Sequence, residues 1–503
     1  MAETRLAAGP TISPAFVKEL QGAISASQVL AEPEDRYLYG YDGTFHQSRP
    51  DVVVKAMSTK DVSAVMRLAY KHGVPVTPRG AGTGLSGGSV PLAGGVVLAT
   101  QPMNHIVELR KEDSLVVIEP GVVTGQLHRY VEARGLYYPP DPQSADFCTM
   151  GGNIAENSSG PHGLKYGTTR DYLLGLEVVL PDGDVIRVGG RTIKNVTGFD
   201  LTRLFCSSEG MLGVVTQATI KLIPKPEAKV VLMAVFNDWG AGGQAVADII
   251  AEGILPSSLE IMDDICIKAA ENYGHFGLPV GAGALLVIEV DGFQESMERQ
   301  AAMIADVCRK AGAIDVQAAH DPARQTDLWR ARKVLNPATS RLAPIRVAED
   351  VTVPRSKVPE LVVRLKDVGR EIGLPVVVYG HAGDGNLHPG ILTDHRDPDK
   401  WERARRGIEL FFKNAVALGG TLSGEHGVGY MKSPFLPLEY SDRAIQLMRD
   451  IKNTVDPKGV LNPAKMFPDA RNPMQAAHGG GAAEATAATA AANAATSTPK
   501  AGE

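Results

Sequence analysis

Residues 78–88 read PRGAGTGLSGG, five glycines in eleven positions, with Leu85 the only bulky apolar side chain. So few Cβ atoms let backbone N–H groups close on a ligand, usually a phosphate. Gly82, Gly84 and Gly87 also satisfy the G-x-G-x-x-G spacing of nicotinamide-dinucleotide sites. In that setting the third glycine opens a helix whose N-terminus receives the pyrophosphate. Here the chain continues as SVPLAGGVVLAT, and Pro91, Gly94 and Gly95 followed by Val-Val-Leu spoil a helix and spell another turn and strand. The context that the fingerprint requires is missing, so the loop calls for a different phosphate-binding architecture.

Working outward, DVVVKAM (51–57) reads as a strand and STKDVSAVMRLAYKHG (58–73) as a helix. Ser58 is its cap, Val62, Val65, Met66 and Ala69 form its apolar face, and Gly73 closes it. A short strand, VPVT, then feeds the glycine loop. SLVVIEPG (114–121), GLEVVLPDGDVIRV (175–188) and GVVTQATIKLIP (213–224) are further strands. The second of these is a hairpin, because Asp-Gly in PDGD supplies the positive φ angles of a tight turn. After IPKPEAK (223–229) the strand-like runs VVLMAVF, ALLVIEVDG and LPVVVYGH alternate with helical patterns at 240–253, 294–312 and 357–372. The expected class of this second domain is α+β. The expected domains are 15–225 and 226–470, followed by a disordered low-complexity tail over 471–503.

At 503 residues, with 44% hydrophobic and 21% charged residues, the chain is a soluble-type globular protein with core enough for two or three domains. A net charge of −6 without any Lys/Arg-rich run argues against nucleic acid as a partner. The N-terminus MAETRLAAGPTISP lacks the features of a secretory signal, and the apolar runs are too short to span a bilayer. A cytoplasmic protein is expected, peripheral to the inner membrane only through a partner. Cysteines 148, 206, 266 and 308 are too dispersed for a zinc ribbon or an iron–sulfur cluster and read as isolated reduced thiols. If the protein is a redox enzyme, onward electron transfer through a cluster must occur in another chain.

A second glycine-rich stretch begins at Cys148, CTMGGNIAENSSGPHGLKYGTTRDYLLGLEVVLPDGDVI. It follows YYPPDPQS (137–144) and precedes KNVTGFDLTRLFCSSEGMLGVVTQATIKLIP (194–224). This ordered set resembles the flavoproteins of the vanillyl-alcohol-oxidase/PCMH type, over roughly residues 20 to 468. The resemblance implies FAD held between two small α+β subdomains, with the first loop around the pyrophosphate and no Rossmann helix. Arg79, Gly80, Ala81, Gly82, Thr83, Gly84, Leu85 and Ser86 take that role by resemblance. Pro140, Thr149, Gly151 and Gly152 would line the flavin, as would Ser158, Gly160, Tyr166 and Gly167. Val215 would lie near the adenine or ribityl part. His162 invites a covalent flavin link, but covalent attachment in this superfamily often uses a histidine inside the first loop, which has none here. Non-covalent FAD is expected.

Two further stretches, GHAGDGNLHPG (380–390) and SGEHGVG (423–429), hold three histidines and the acids Asp384 and Glu425 among glycines. His381 and His388 straddle a loop that can fold back and bring both imidazoles to one point. With a carboxylate from the second segment they make the donor set of an open catalytic site for Zn2+ or a similar divalent ion. A hydrolytic site would use the same donors. Taken with a flavin, the donors fit another chemistry. A divalent ion can hold a 2-hydroxy acid and lower the hydroxyl pKa, as it does for water, from about 16 to about 7. A histidine can then take the proton while hydride leaves C2 for the flavin.

These motifs resemble the FAD-linked 2-hydroxy-acid dehydrogenases, a branch holding D-lactate and D-2-hydroxyglutarate dehydrogenases and the flavin subunit of bacterial glycolate oxidases. The resemblance implies His381, His388 and Glu425 as ligands of a divalent metal, Zn or Mn, and His426 as general base. Asn386 would orient the metal site or the flavin, and Asn462 in LNPAKMFP (461–468) would lie near the flavin. Arg332 in DLWRARK falls where the branch places an arginine for the substrate carboxylate, although it equally suits an exposed helix position. D-2-hydroxyglutarate enzymes place a lysine where Ala348 stands in RVAEDVTVP, which favours a short monocarboxylate, glycolate first and D-lactate second. Arg346 could compensate for that lysine. Iron–sulfur and second flavin subunits of a glycolate oxidase complex are the expected partners. A zinc hydrolase leaves the upstream glycine loops idle, and a non-catalytic flavin-binding subunit leaves the histidines idle.

Overall fold

The computed structural model describes residues 12–468, so the tail expected over 471–503 lies outside the described residues. A four-stranded sheet opens the chain, in the order Val29–Leu30, Val52–Lys55, Val96–Ala99, Val76–Arg79. Val52–Lys55 and Val76–Arg79 both run parallel to Val96–Ala99, because the helix Thr59–His72 carries the chain back between them. Ser58 accepts from the Asp61 N–H and Gly73 ends that helix at φ +68°. Val62, Val65, Met66 and Ala69 are buried beneath it, as their spacing predicts. All four residues of Val96–Ala99 are buried, as a central parallel strand requires. No helix forms between Arg79 and Val96.

A five-stranded antiparallel sheet follows, in the order Ile106–Arg110, Leu115–Ile118, Val214–Lys221, Leu173–Val179, Val185–Gly189. Its last two strands form the PDGD hairpin, with Val179 opposite Val185 and Gly183 at φ +89°. These two sheets are the two α+β subdomains expected of the first half.

The second half is built on an antiparallel sheet in the order Asp315–Ala319, Ala228–Phe236, Ala284–Gly292, Ser258–Asp263, Val376–His381, Asn386–Thr393, Ile345–Ala348. Its two faces differ, and period-two alternation explains why. Leu259, Ile261, Leu286, Ile288, Val378, Leu387 and Ile391 join the largest core, with Val362 and Leu365 of helix Val358–Ile372 and Phe411 and Phe412 of helix Pro398–Ala417. The intervening residues point the other way. That face carries Glu260, Glu289, Asp291, Tyr379, His381 and His388 and turns toward the first half of the chain.

A polar clasp joins the halves across this face. His162 Nδ1 lies 2.7 Å from Asp141 Oδ2, and Nε2 lies 3.2 Å from Glu289 Oε1. Lys165 Nζ is 2.5 Å from Asp291 Oδ1, and the Tyr166 hydroxyl donates to Asp291 Oδ2 at 2.8 Å. Burial opposes charge on His162, but Asp141 and Glu289 outweigh it and hold its pKa well above 6.5. Burial opposes charge on Glu289 too, but His162 and Lys229 bring it from 4.5 to about 2. The histidine's contribution to stability is complete below its unfolded pKa and fades as pH rises through its raised folded value. The glutamate's is complete above its unfolded pKa and fades as pH falls toward about 2. His162→Gln should therefore cost about 3 kcal/mol of unfolding free energy. The deficit should be widest between pH 4.5 and 6.5. Thermal melts across pH check this, and a deficit constant with pH would assign His162 to packing alone.

The last described stretch returns to the first half. Helix Asp442–Val455 sets Lys452 Nζ 2.7 Å from Met211 O, and the Val76 N–H donates to Val460 O at 2.8 Å. Lys465 Nζ donates to Gly87 O at 2.7 Å and Val90 O at 2.6 Å. Residues 442–467, expected within the second domain, thus close over the glycine loop in space.

Candidate functional site

A cavity of about 410 Å³ runs between the halves. At one end the strand Val76–Arg79 delivers the chain into the glycine loop, whose residues Arg79, Gly80, Ala81, Gly82, Thr83, Gly84 and Leu85 line it. Arg79 fixes the loop from inside, with Nη1 donating to Tyr41 O at 2.6 Å and Ser89 Oγ at 3.2 Å. Gly82 is required twice. Its φ is +71°, and a Cβ there would sit 2.1 Å from Arg79 Nη2. A Cβ at Gly80 would meet Thr149 Oγ1 at 2.2 Å, so the two glycine-rich stretches touch. Ser86 lies behind the lining, its carbonyl accepting from the Tyr430 and Met431 N–H groups at 2.9 and 3.1 Å.

Thr149, Gly151, Gly152, Ser158, Val215 and Asn462 also line the cavity. Asn462 Nδ2 donates to Gly88 O and Glu209 O at 3.1 and 2.7 Å, which leaves Oδ1 a buried acceptor without a protein donor. Thr149 Oγ1 is likewise buried without a partner. Unpartnered polar atoms beside a Cβ-free cradle fit a large polar cofactor. Pro140, Gly160, Tyr166 and Gly167 are not among the lining residues, contrary to expectation. The Pro140 carbonyl accepts from His128, Gly160 packs on Asp141, Tyr166 is drawn into the clasp by Asp291, and Gly167 lies over Asp171.

The other end of the cavity is set by the hairpin of Val376–His381 and Asn386–Thr393, where Tyr379 faces His388 and His381 faces Asn386. This register puts Tyr379, His381 and His388 on one face, with the two imidazole centroids 5.1 Å apart. Glu425 Oε1 lies 3.4 Å from His381 Nε2, 3.3 Å from His388 Nε2 and 3.8 Å from His426 Nε2. His381, His388 and Glu425 each offer a donor atom within 4.8 Å of the others, as a divalent cation requires. His381 Nδ1 is 2.8 Å from Glu260 Oε1, and Glu260 Oε2 accepts from Arg332 Nε at 2.6 Å. That carboxylate holds the ring with Nε2 directed at the cluster. Burial opposes charge on both partners, but their proximity wins, raising the His381 pKa and lowering that of Glu260.

Asp350, His388 and His426 form a second trio within 4.8 Å. Asp350 is already engaged, however. Its Oδ2 accepts from Ser423 Oγ at 2.6 Å and from the backbone N–H groups of Gly424, Glu425 and His426 at 2.9, 3.1 and 3.0 Å. Burial opposes its charge, yet Lys432, His426 and His388 keep it ionised far below the usual range. Asp350 therefore anchors the loop that carries Glu425 and His426. Asn386 ties the hairpin to the same region, donating to Val351 O at 3.2 Å, Thr352 Oγ1 at 2.9 Å and Asp350 Oδ1. His426 lines the cavity with its ring stacked on His388, centroids 5.2 Å apart and planes 8° apart. Burial, opposed by Asp350, brings its pKa down to about 4, so the imidazole is neutral.

Arg332 is 3% exposed, with Nε on Glu260, Nη2 buried without a partner and its guanidinium 4.8 Å from the ring of Tyr379, which lines the cavity; Arg346 lines the cavity as well. His162 does not face the cavity, since both its nitrogens lie beside clasp carboxylates. Glu260 and Asp350 escaped the reading of the sequence. Glu260 had a signal, a charge in the middle of the strand SLEIMD, flanked by Leu259 and Ile261.

The chain is similar to known proteins over most of its length. Residues 50–189 match the FAD binding domain family, and residues 225–466 match the family of FAD linked oxidases, C-terminal domain. Glycolate oxidase subunit GlcD of Bacillus subtilis (strain 168) is 46% identical over 433 residues, 86% of this chain and 92% of that protein. A D-lactate dehydrogenase of Anaerostipes hadrus is 34% identical over 468 residues, 90% of this chain and 98% of its own. Among solved structures, p-cresol methylhydroxylase with substrate bound superposes with a TM-score of 0.76 at 18% identity, covering 92% of this chain and 99% of that one. At that identity the likeness concerns the fold.

Proposed function

Because this chain belongs to the FAD-linked oxidases that include glycolate oxidase subunits and D-lactate dehydrogenases, we propose that it oxidises a short 2-hydroxy acid at C2, glycolate first and D-lactate second. It is a flavoprotein oxidoreductase whose cofactor is FAD. One observation carries the finer reading. The cavity lined by the glycine loop is also lined by His388, Glu425 and His426. A reacting carbon held there would face the cofactor on one side and the imidazole cluster on the other.

The donor set of His381, His388 and Glu425 supports a divalent ion, Zn2+ or Mn2+. When bound, FAD supplies an acceptor for the C2 hydride and the ion supplies positive charge that makes a neighbouring hydroxyl more acidic. His426 takes the hydroxyl proton, while Asp350 holds the backbone that positions it. Hydride and proton together leave a carbonyl, glyoxylate from glycolate. A hydrolytic role for the same donors would leave the glycine-lined cavity without work.

Electrons must then leave the flavin. All four cysteines are buried and free, and no cysteine belongs to a metal-ligating group of three among the described residues. This supports iron–sulfur and second flavin partner subunits, in keeping with relatives named as a subunit. No helix among the described residues is long and apolar enough to cross a membrane.

Anaerobic mixing of the flavin-loaded protein with glycolate, D-lactate and D-2-hydroxyglutarate tests the reading. Glycolate and D-lactate should bleach the visible flavin absorption fastest. Absence of bleaching by every 2-hydroxy acid would refute it.

A further inference from the structure

We infer that Glu156 is held as a neutral carboxylic acid and gives its proton in a hydrogen bond to an acceptor atom of bound FAD. The inference rests on FAD as the cofactor and stands apart from the choice of substrate. Glu156 is the last residue of the helix Met150–Glu156 and lines the cavity. Its carboxyl group is wedged between two loops. A Cβ at Gly88 would lie 2.9 Å from Oε1, and a Cβ at Gly427, the residue after His426, would strike Oε2. Glycine at both positions leaves the space that this one carboxyl group fills.

Hydrogen bonds decide which acid in this corner is ionised. Glu209 stands next to Glu156, since the same Cβ at Gly427 would lie 3.2 Å from Glu209 Oε1. Its two oxygens accept from the Val428 and Gly429 N–H groups, each at 2.7 Å, and such donors stabilise an anion. Glu156 Oε2 is buried and no protein donor reaches it. The two lysines of this corner are engaged elsewhere. Lys465 donates to Gly87 O and Val90 O, and Lys432 to Asp350 O, Leu422 O and Ser423 Oγ. Asp42, buried with Oδ1 on Thr44, adds an acid rather than a cation, and His426 is neutral. A carboxylate at Glu156 would be buried, unpaired and beside another anion, which costs more than keeping the proton. Burial first, then Glu209 and Asp42, push the Glu156 pKa well above 4.5, with Lys432 and Lys465 opposing. Burial raises Glu209 as well, but its two backbone donors pull it back.

The wall around Glu156 is prepared for a ligand. Asn462, 1% exposed, bridges Gly88 O and Glu209 O with its amide nitrogen and leaves Oδ1 buried and unpartnered at the same cavity. A buried acid proton and a buried amide oxygen, neither met by the protein, are a donor and an acceptor awaiting one polar molecule. FAD offers acceptors on its diphosphate and its ring carbonyls, so a neutral Glu156 binds where an ionised one would repel. FAD retention should be level below the Glu156 pKa and weaken as pH rises through it, by up to about tenfold per pH unit, as the loss of one required proton dictates.

The test compares Glu156→Gln and Glu156→Leu with the parent, all loaded with FAD. The infrared difference spectrum of parent minus Glu156→Gln should contain the carbonyl stretch of a neutral carboxylic acid, shifted in deuterium oxide. FAD release on dilution, followed by flavin fluorescence, gives the second readout. Glu156→Gln should release FAD within about threefold of the parental rate, because its amide keeps a donor, and without the parent's acceleration at high pH. Glu156→Leu should release it about 10-fold faster or more, since an acceptor of the cofactor is left unpaired. Absence of the neutral-acid band would show Glu156 ionised and overturn the inference. So would equal losses in both variants, which would make charge the requirement, or a parental rate in Glu156→Leu, which would leave the proton without a role. Should Glu156→Leu fail to fold, the pH profile of Glu156→Gln decides, and a parental profile there refutes the assignment. None of these readouts uses substrate, so their failure leaves the 2-hydroxy-acid reading standing, and failure of that reading leaves Glu156 where it is.

Discussion

His426→Ala should yield a yellow protein with parental FAD content that glycolate and D-lactate reduce about 10²- to 10⁴-fold more slowly, the range a positioned general base contributes. The separation of binding from chemistry follows from where the side chain sits. The cofactor cradle is made by the glycine loop, Thr149, Gly151, Gly152 and Asn462, and none of these depends on the imidazole. Nor does the loop that carries position 426. Asp350 holds that loop through backbone N–H groups, which alanine retains, and through Ser423 and Lys432. The lesion is therefore chemical rather than structural. Dithionite should still bleach the variant, showing that its flavin is intact, while single-turnover reduction by substrate fails. Parental turnover would remove His426 from the role of base. Loss of FAD would show that the ring supports the cofactor, contrary to the assignment.

What the sequence could disclose followed from how local each signal is. The helix Thr59–His72 was legible because its cap, apolar face and closing glycine all lie within sixteen residues. The PDGD hairpin was legible for the same reason, since the turn itself fixes the register. The pairing of His381 with His388 was within reach because one short hairpin loop joins them. The placement of the two arginines was not. Arg332 and Arg346 stand fourteen residues apart on a helix and a strand, and which of them reaches the cavity depends on the pairing of Ile345–Ala348 with Asn386–Thr393. Spacing along the chain carries no record of that choice. The same holds for Glu260 and Asp350, whose partners lie 121 and 74 to 76 positions away. The return of residues 442–467 to the first half is equally non-local, because Lys465 meets Gly87 across 378 positions. Tyr166 is another such case, because a carboxylate from the distant strand Ala284–Gly292 draws its hydroxyl into the interdomain clasp.

His388→Ala should lower bound divalent metal and turnover together. The imidazole contributes one of three donor atoms clustered within 4.8 Å, and two remaining donors hold a catalytic cation poorly. If the ion supplies several kcal/mol of charge stabilisation, its loss costs on the order of 10³ in rate. A graded comparison separates this from collapse of the site. Glu260→Gln keeps all three donors but weakens the hydrogen bond that fixes the His381 ring. It should bind metal about 10- to 100-fold more weakly, as loss of an orienting carboxylate does, and regain turnover when metal is added in excess. His388→Ala should regain little, because no added concentration restores a missing donor. Metal content by mass spectrometry, FAD content by absorbance and rate by flavin bleaching, taken on the same preparations, give three readouts that a misfolded protein would lose together. Full turnover in metal-free His388→Ala would take the cation out of the reaction and leave His426 to act on the hydroxyl alone.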